Sequence, residues 1–126
     1  MKNIKLLLVG ALGLGLVGCV TTKPIATINS SVPVGLSYKK VETAILGSDT
    51  SNRGWVLRKE GKNLISGKII NRGHSAQVSI PFTTKGYSIN YVTSQGLKSE
   101  NGKIHPNYNR WVTNLDNDIQ ARLIRQ

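Results

Sequence analysis

The sequence predicts an α+β domain, a two-layer sandwich with the element order α-β-β-β-β-α. Three observations support this fold class: alternating polarity in the middle of the chain, evenly spaced turns that interrupt it, and a helical apolar stripe near the end. Alternation gives a sheet one apolar and one polar face, so we expect a four-stranded antiparallel meander with both helices on the apolar face. Residues 37–126 make up this single predicted domain.

The first helix is predicted directly after Ser37, a residue type that often caps helix N-termini. Val41, Ala44 and Ile45 follow at helical spacing, and Gly47 ends the pattern. Because the helix is short, we expect its stability to come from packing against the sheet.

The four strands are predicted after Gly54, with turn signals at Glu60-Gly61-Lys62-Asn63, Asn71-Arg72-Gly73 and Thr84-Lys85-Gly86. The third and fourth strands alternate most clearly, and their apolar-face residues are His74, Ala76, Val78, Ile80 and Phe82, then Tyr87, Ile89 and Tyr91. The residues between these are mainly polar. We therefore expect the opposite face to have little apolar surface to bury.

The last helix is predicted from an apolar stripe at steps of three and four residues, formed by Tyr108, Trp111, Val112, Leu115, Ile119 and Leu123. Pro106 suits the first turn of a helix, and Arg122 and Arg125 suit its negative C-terminal end. The stripe predicts one buried face, directed toward the sheet.

The N-terminal segment has the pattern of an export signal. Lys2 and Lys5 form a positive start, and the apolar and glycine run 6–18 follows. As a helix this run would span only about 20 Å, short of the roughly 30 Å hydrocarbon layer. A permanent membrane-spanning helix is therefore not expected.

The residues at the end of that run, Leu16-Val17-Gly18-Cys19, resemble the bacterial lipoprotein box. The resemblance implies that residues 1–18 are a signal peptide and that Cys19 carries a lipid, with fatty acyl chains such as palmitate anchoring the mature protein to a membrane. Val20 is not the aspartate associated with retention at the inner membrane. By this resemblance the protein faces the periplasm from the outer membrane, with the outer surface of the cytoplasmic membrane as the alternative.

Residues 19–36 are predicted to be the lipidated N-terminus and a flexible tether. The stretch is rich in Thr, Ser, Pro and Gly and has no sustained helical or strand period. Such a tether would hold the domain clear of the lipid surface. An alternative stays open for residues 26–35, ATINSSVPVG, which would instead lie along the domain as an edge strand.

The strongly basic balance favours anionic partners. Seventeen Lys and Arg face six Asp and Glu, for a formal charge of +11. Such a charge attracts anionic lipid, acidic glycan or nucleic acid without choosing among them, and a solvated basic surface with no ligand is equally consistent with it. Nucleic acid is not expected, because Tyr87 and Tyr91 share a strand face with Ile89 and are predicted to be core.

The segment Lys103–Trp111, KIHPNYNRW, contains the densest group of candidate binding residues: His105, Asn107, Tyr108, Arg110 and Trp111. These groups can hydrogen-bond a sugar, stack on it, or hold a phosphate through the guanidinium. The competing interpretation is structural. In it His105 and Asn107 cap the last helix, and Tyr108 and Trp111 belong to the core.

Several short motifs resemble a group of small proteobacterial lipoproteins of unknown biochemical role. They are Gly54-Trp55, Gly73-His74, Tyr87–Leu97 and, most distinctively, Ile104–Trp111, and the resemblance extends from about Val41 to Ile119. It implies a domain type and a location in the envelope, but no reaction.

No residue pattern predicts an enzyme. His74 and His105, with Glu100 or Asp116, lack the spacing of a metal site, and Ser75 points away from His74 on a strand. We therefore predict no metal, no cofactor and no catalysis. The predicted function is a noncatalytic envelope lipoprotein whose periplasmic domain binds a protein or an anionic envelope component, and the alternative is a small-ligand or glycan-binding module that uses residues 105–111.

Overall fold

Two helices, a five-stranded antiparallel sheet and a two-stranded sheet make up the part of the chain that the structure describes. The structure is a computed structural model that describes residues 21–126, so the predicted signal peptide and Cys19 lie outside the described residues. In chain order the elements are β1 Lys23–Pro24, β2 Ile28–Ser31, α1 Tyr38–Leu46, β3 Trp55–Gly61, β4 Leu64–Asn71, β5 His74–Pro81, β6 Gly86–Gln95, β7 Lys103–Ile104 and α2 Pro106–Ile124.

The α+β class predicted from the sequence is confirmed, and strands β3 to β6 are hydrogen-bonded in chain order. The turn between β4 and β5 shows how local chemistry sets the register. Asn71 pairs with His74, which leaves a two-residue turn of Arg72 at φ 53° and Gly73 at φ 81°. Two consecutive positive φ angles match the twist of the flanking strands, so the chain reverses directly there.

The predicted element order is wrong in two places, because strands precede the first helix and another precedes the second. In the main sheet β2 lies beside β6, which gives the order β2-β6-β5-β4-β3, while β1 pairs with β7. The prediction missed these strands because they are two to four residues long and mainly polar. Backbone hydrogen bonds hold such strands in place, and their side chains are too few to show a regular alternation of polar and apolar residues.

The predicted flexible tether over residues 19–36 therefore does not describe residues 23–31. Ile28–Ser31 is the edge strand that the alternative interpretation proposed, with Ile28 opposite Ile89. Asn109 fixes the preceding residues from α2: its side chain accepts a hydrogen bond from the Ala26 amide and donates one to the Pro24 carbonyl, both at 3.0 Å.

A second set of contacts attaches β2 to α2 through Asp116. The Asp116 carboxylate accepts hydrogen bonds from the Ser30 hydroxyl, at 2.6 Å, and from the Tyr87 hydroxyl. Gln120 donates to the Ser31 carbonyl and to the Tyr87 oxygen, each at 3.0 Å. Burial, and then the hydrogen bond to Asp116, raise the pKa of Tyr87 well above its usual value, so the phenol keeps its proton.

One cluster of buried residues includes side chains from both helices and from the strands of the main sheet. All six stripe residues predicted for the last helix are buried in α2, and Val41, Ala44 and Ile45 are buried in α1. The Ser37 side chain caps α1 by accepting from the Lys40 amide at 3.2 Å. Along the central strands the buried residues alternate with more exposed ones, as the sequence pattern predicts.

The other side of the sheet exposes more apolar surface than expected. Val56 and Ile70, which alternate with the buried Trp55 and Ile69, are 60% and 65% exposed. The expectation of little apolar material on this face is therefore wrong at the β3–β4 pair. The surface around them also carries Arg58, Glu60 and Lys68.

Glu42, on α1, is the one buried carboxylate among the described residues. Its oxygens lie 2.9 Å from the Lys59 ammonium and 3.4 Å from the Lys39 ammonium, and Tyr38 donates a hydrogen bond to it at 3.2 Å. The hydrogen bond from Lys59 is the main reason that the pKa of Glu42 lies below its usual value, and burial opposes it.

This lowered pKa predicts an acid-dependent loss of stability. A group whose folded pKa is depressed contributes stability above its unfolded pKa and loses it as the pH falls through the folded value. We expect Glu42→Gln to lower Tm at pH 7 but to reduce the fall in Tm between pH 7 and pH 3. Thermal unfolding followed by circular dichroism measures both. Glu100→Gln, an exposed carboxylate, is the control, and an equal reduction in that variant would contradict the assignment.

Candidate functional site: an arginine-lined cleft

The predicted binding segment begins α2, and its residues have different roles in the structure. His105 is the N-cap, and its Nδ1 accepts a hydrogen bond from the Asn107 amide at 3.0 Å. The Asn107 side-chain oxygen accepts a hydrogen bond from the Arg110 guanidinium. The capping interpretation therefore holds for His105, whereas Asn107 orients Arg110.

Tyr108 and Trp111 belong to the buried stripe of α2. Tyr108 is 0% exposed and packs edge-on against Tyr91, with ring centroids 5.4 Å apart. Burial is the first reason that the pKa of Tyr108 lies well above its usual value. A ligand at the surface does not reach this ring, so we remove Tyr108 from the candidate binding residues. Trp111, at 9% exposure, keeps an edge at the surface.

That edge lines two adjoining depressions of about 360 and 390 Å³, which share Asn71 and Trp111. They lie where the first turns of α2 approach the β4–β5 turn and the loop before β3. We call this surface the arginine cleft and define it by six residues: Arg53, Asn71, Arg72, Asn107, Arg110 and Trp111.

The charge of the arginine cleft is one-sided, because its lining contains arginines and no carboxylate. Arg53 forms an ion pair with Asp118, which is not part of the lining, and its Nε donates to the Asp118 carboxylate at 3.1 Å. Among the described residues neither Arg72 nor Arg110 forms an ion pair. Both side chains are exposed, so their charges remain available to an anion.

Two residues beside the cleft carry buried polar atoms without a hydrogen-bond partner in the described range 21–126. These atoms are Nε1 of Trp55 and Nδ1 of His74. A buried unpaired donor or acceptor costs about 1–3 kcal/mol, so folded proteins contain few of them. Local exceptions of this kind concentrate where function sets the sequence. Trp55 lines the depression of about 360 Å³, and His74 lines the adjoining one of about 390 Å³.

The other surface depressions have less distinctive chemistry. The largest, about 560 Å³ beside β2 and β6, has no charged residue in its lining. One of about 400 Å³ on the exposed sheet face contains Arg58 and Lys68 but also Glu60. The arginine cleft alone, of these three surfaces, combines uncompensated guanidinium groups with amides and an indole edge.

Two further searches bear on function. Within residues 21–126 no three His, Cys, Asp or Glu side chains come together in a way that would hold a metal ion. Over the same residues no helix combines the length and the apolar character needed to cross a membrane.

The chain matches no protein-family model and no curated protein. The resemblance to small proteobacterial lipoproteins therefore stays a prediction. Support for a function comes from the geometry of the arginine cleft and from the motif at Cys19.

Sequence reasoning found one wall of the cleft and missed the other. The sequence groups His105, Asn107, Tyr108, Arg110 and Trp111 because they are close together in the chain, and Asn107, Arg110 and Trp111 of this group line the cleft. The sequence gives no reason to add the residues of the other wall to this group. Arg53 lies in the loop before β3, and Asn71 and Arg72 belong to a predicted turn. One sequence signal could have marked this wall: the predicted turn Asn71-Arg72-Gly73 has an arginine at a position where Asn or Gly is the usual choice. In the structure Arg72 has a positive φ there.

Proposed function

We propose that the protein is a noncatalytic lipoprotein of the bacterial envelope, anchored through Cys19 at the periplasmic side of the outer membrane, whose domain binds an anionic envelope component. The observation that carries the binding half is the convergence of Arg53, Arg72 and Arg110 around one cleft without a carboxylate in its lining. The anchored half rests on the lipobox at Cys19.

We also propose that both helices lie on one face of the sheet, as in the predicted two-layer sandwich. In that arrangement α2 supplies Asn107 and Arg110 to the cleft, and the β4–β5 turn region supplies Asn71 and Arg72. Both sets are attached to hydrogen-bonded elements, so the backbone that surrounds the cleft is preformed. A site with a preformed backbone loses little binding free energy in ordering its loops.

Guanidinium groups recognise carboxylate and phosphate through paired N–H donors, and such charge-assisted hydrogen bonds are about twice as strong as neutral ones. Asn71 and Asn107 add neutral donors and acceptors that suit hydroxyl groups. The excess of Lys and Arg over Asp and Glu, which remains after Lys2 and Lys5 are removed with residues 1–18, raises the rate of encounter with anions. These features support a carboxylated or phosphorylated ligand.

The size of the cleft favours a small anionic group over a protein partner. Depressions of about 360 and 390 Å³ fall within the range of roughly 300–1,000 Å³ typical of small-molecule sites. A glycan-binding module is the second candidate, since an acidic sugar would use the same residues. Trp111 is only 9% exposed and so offers little ring surface for stacking, which gives a neutral sugar less support.

The noncatalytic half of the proposal is supported by the hydrogen bonding of the two histidines. His105 uses Nδ1 to cap α2, and His74 makes no hydrogen bond through Nδ1 to any described hydroxyl or carboxylate. A nucleophile, a base and an orienting acid are needed together for covalent hydrolysis.

We expect Arg72→Gln/Arg110→Gln to bind anionic probes about 100-fold more weakly than the wild type, because two charge-assisted contacts of about 1.5 kcal/mol each are lost. The probes are oligogalacturonate and inorganic phosphate, with maltohexaose as the neutral comparison. Calorimetry measures the affinity. Both tryptophans of the chain line the cleft, so their fluorescence provides a second readout.

The matched control is Lys62→Gln/Lys85→Gln, which removes the same charge from two exposed turns at the other end of the sheet. We expect this control to bind within a few-fold of the wild type. Equal weakening in both double variants would show general charge attraction and no specific cleft. A wild-type protein that binds neither probe would also contradict the proposal.

A further inference from the structure

The domain holds its N-terminal segment from Lys23 onward. In the β1–β7 pair Lys23 lies opposite Ile104 and Pro24 opposite Lys103, and the Ile25 amide donates to the Gly102 carbonyl at 3.0 Å. With the Asn109 contacts to Pro24 and Ala26, these bonds fix the chain to the start of α2. Only residues 20–22 then separate Cys19 from the fixed part of the domain.

This separation is short compared with the domain. Four steps along an extended chain reach at most about 14 Å. A domain of about 100 residues has a radius of gyration near 13 Å, so its diameter exceeds that reach. A lipid on Cys19 would therefore keep the β1–β7 end beside the bilayer surface, and would not let the domain stand clear of it as a long tether would.

The surface at that end is basic. Lys23 on β1, Lys103 on β7 and Lys98 in the loop that leads to β7 are all exposed, and we call them the anchor-side lysines. The one carboxylate in this segment is Glu100, also exposed, whose backbone pairs with that of Lys103. The excess of positive charge lies where the anchor brings lipid headgroups closest.

We propose that the β1–β7 end docks on anionic lipid headgroups through the anchor-side lysines, so that the domain rests on the membrane in one orientation. This inference rests on the proposed lipid anchor at Cys19. Each lysine close to an anionic surface strengthens binding by about fivefold. The anchor brings the β1–β7 end near the bilayer, and the lysines hold that end against the headgroups.

The orientation also places the arginine cleft. β6 ends at the same end of the sheet as the β4–β5 turn, because Gln95 lies opposite Ser75. The Leu97 carbonyl then accepts a hydrogen bond from the His105 amide at 2.8 Å, which joins the β6–β7 loop to the N-terminus of α2. The cleft therefore lies at the membrane-facing end, where it meets anionic groups near the bilayer.

Lipid quenching of single fluorophores tests the docking on the full-length lipoprotein. Purified protein is first shown by mass spectrometry to carry its lipid, and is then placed in vesicles of phosphatidylcholine with or without one quarter phosphatidylglycerol. Because Cys19 is the one cysteine of the chain, a thiol dye labels only an introduced cysteine. Ser99→Cys reports on the β6–β7 loop, and Thr84→Cys on the opposite end of the sheet.

We expect headgroup-level spin-labelled lipid to quench the dye at position 99 at least threefold more than the dye at position 84 in anionic vesicles. Lys23→Gln/Lys98→Gln/Lys103→Gln should reduce that difference to the smaller value that the anchor alone gives, and neutral vesicles should reduce it for the wild type to the same level. Lys62→Gln/Lys85→Gln should leave it unchanged. All these substitutions are at exposed positions, and circular dichroism confirms that each variant folds.

Equal quenching at the two positions in the wild type, or a difference in the triple variant as large as that in the wild type, would overturn the docking. This failure is distinct from failure of the proposed function. Absence of lipid in the mass spectrum removes the anchor, and unchanged binding of anionic probes by Arg72→Gln/Arg110→Gln removes the cleft. Neither result depends on the three lysines.

Discussion

Cys19→Ser is expected to move the protein from the membrane fraction to the soluble fraction of the cell. Serine lacks the thiol to which the resemblance attaches a diacylglyceryl group, so the fatty chains are never added. Each buried methylene contributes about 0.8 kcal/mol, and one chain alone binds marginally, whereas two or three hold a protein essentially permanently. Loss of the sulfur therefore removes the membrane affinity that the fatty chains supply, with the released domain as the expected product.

Metabolic labelling with a radioactive fatty acid, followed by fractionation, measures this outcome. Val20→Ala is the matched control, since it changes the neighbouring residue and keeps the thiol. Val20→Asp tests the location, because the lipoprotein resemblance then implies retention at the inner membrane. Labelling that survives in Cys19→Ser would refute the assignment of the lipid to this residue.

Tyr108→Ala is expected to destabilise the domain by about 3–5 kcal/mol, the usual cost of removing a buried aromatic side chain. Tyr108 is 0% exposed and packs edge-on against Tyr91. The substitution leaves a cavity at the junction of α2 and the sheet. Since domains of this size are stable by about 5–15 kcal/mol, the variant should be partly unfolded at moderate urea concentrations.

Tyr108→Phe separates the ring from its hydroxyl. The hydroxyl is buried and has no hydrogen-bond partner among residues 21–126. Its removal should therefore change the free energy of unfolding by no more than about 1 kcal/mol. Urea unfolding gives both values. A loss above 2 kcal/mol in the phenylalanine variant would mean that the hydroxyl makes a bond the fold requires.

The same variant checks the boundary of the candidate site. If Tyr108 is core, Tyr108→Phe binds anionic probes as the wild type does, while Arg72→Gln/Arg110→Gln does not. The two results together would assign the stability of this end of the domain to the ring. They would assign recognition to the guanidinium groups beside it.

The periodic parts of the fold were predictable, because the spacing of apolar residues follows the repeat of the element itself. The α2 stripe from Tyr108 to Leu123 is buried as its spacing predicts, and the Asn71-Arg72-Gly73 signal is the β4–β5 turn. The sequence predicted β2 only as an alternative to a flexible tether. Its residues Ile28–Ser31 are mainly polar, and their pairing with β6 uses backbone groups that every sequence has.

The candidate site divides in the same way. The sequence groups the residues of the first turns of α2 as one chemically dense segment, and the structure divides them. Tyr108 lies in the buried stripe that the spacing predicts, whereas Arg110 lies at the surface. Arg53 and Arg72 join the site only because the loop before β3 and the β4–β5 turn meet α2 at one end of the sheet.

By itself, therefore, the sequence determined the α+β class, the periodic strands, the two helices and the motif at Cys19, because each depends on residues close together in the chain. Tertiary structure alone decided that the arginines converge and that the N-terminal segment is fixed from Lys23, since both follow from packing and backbone pairing between distant segments. With that pairing, only residues 20–22 separate Cys19 from the part of the chain that the domain fixes.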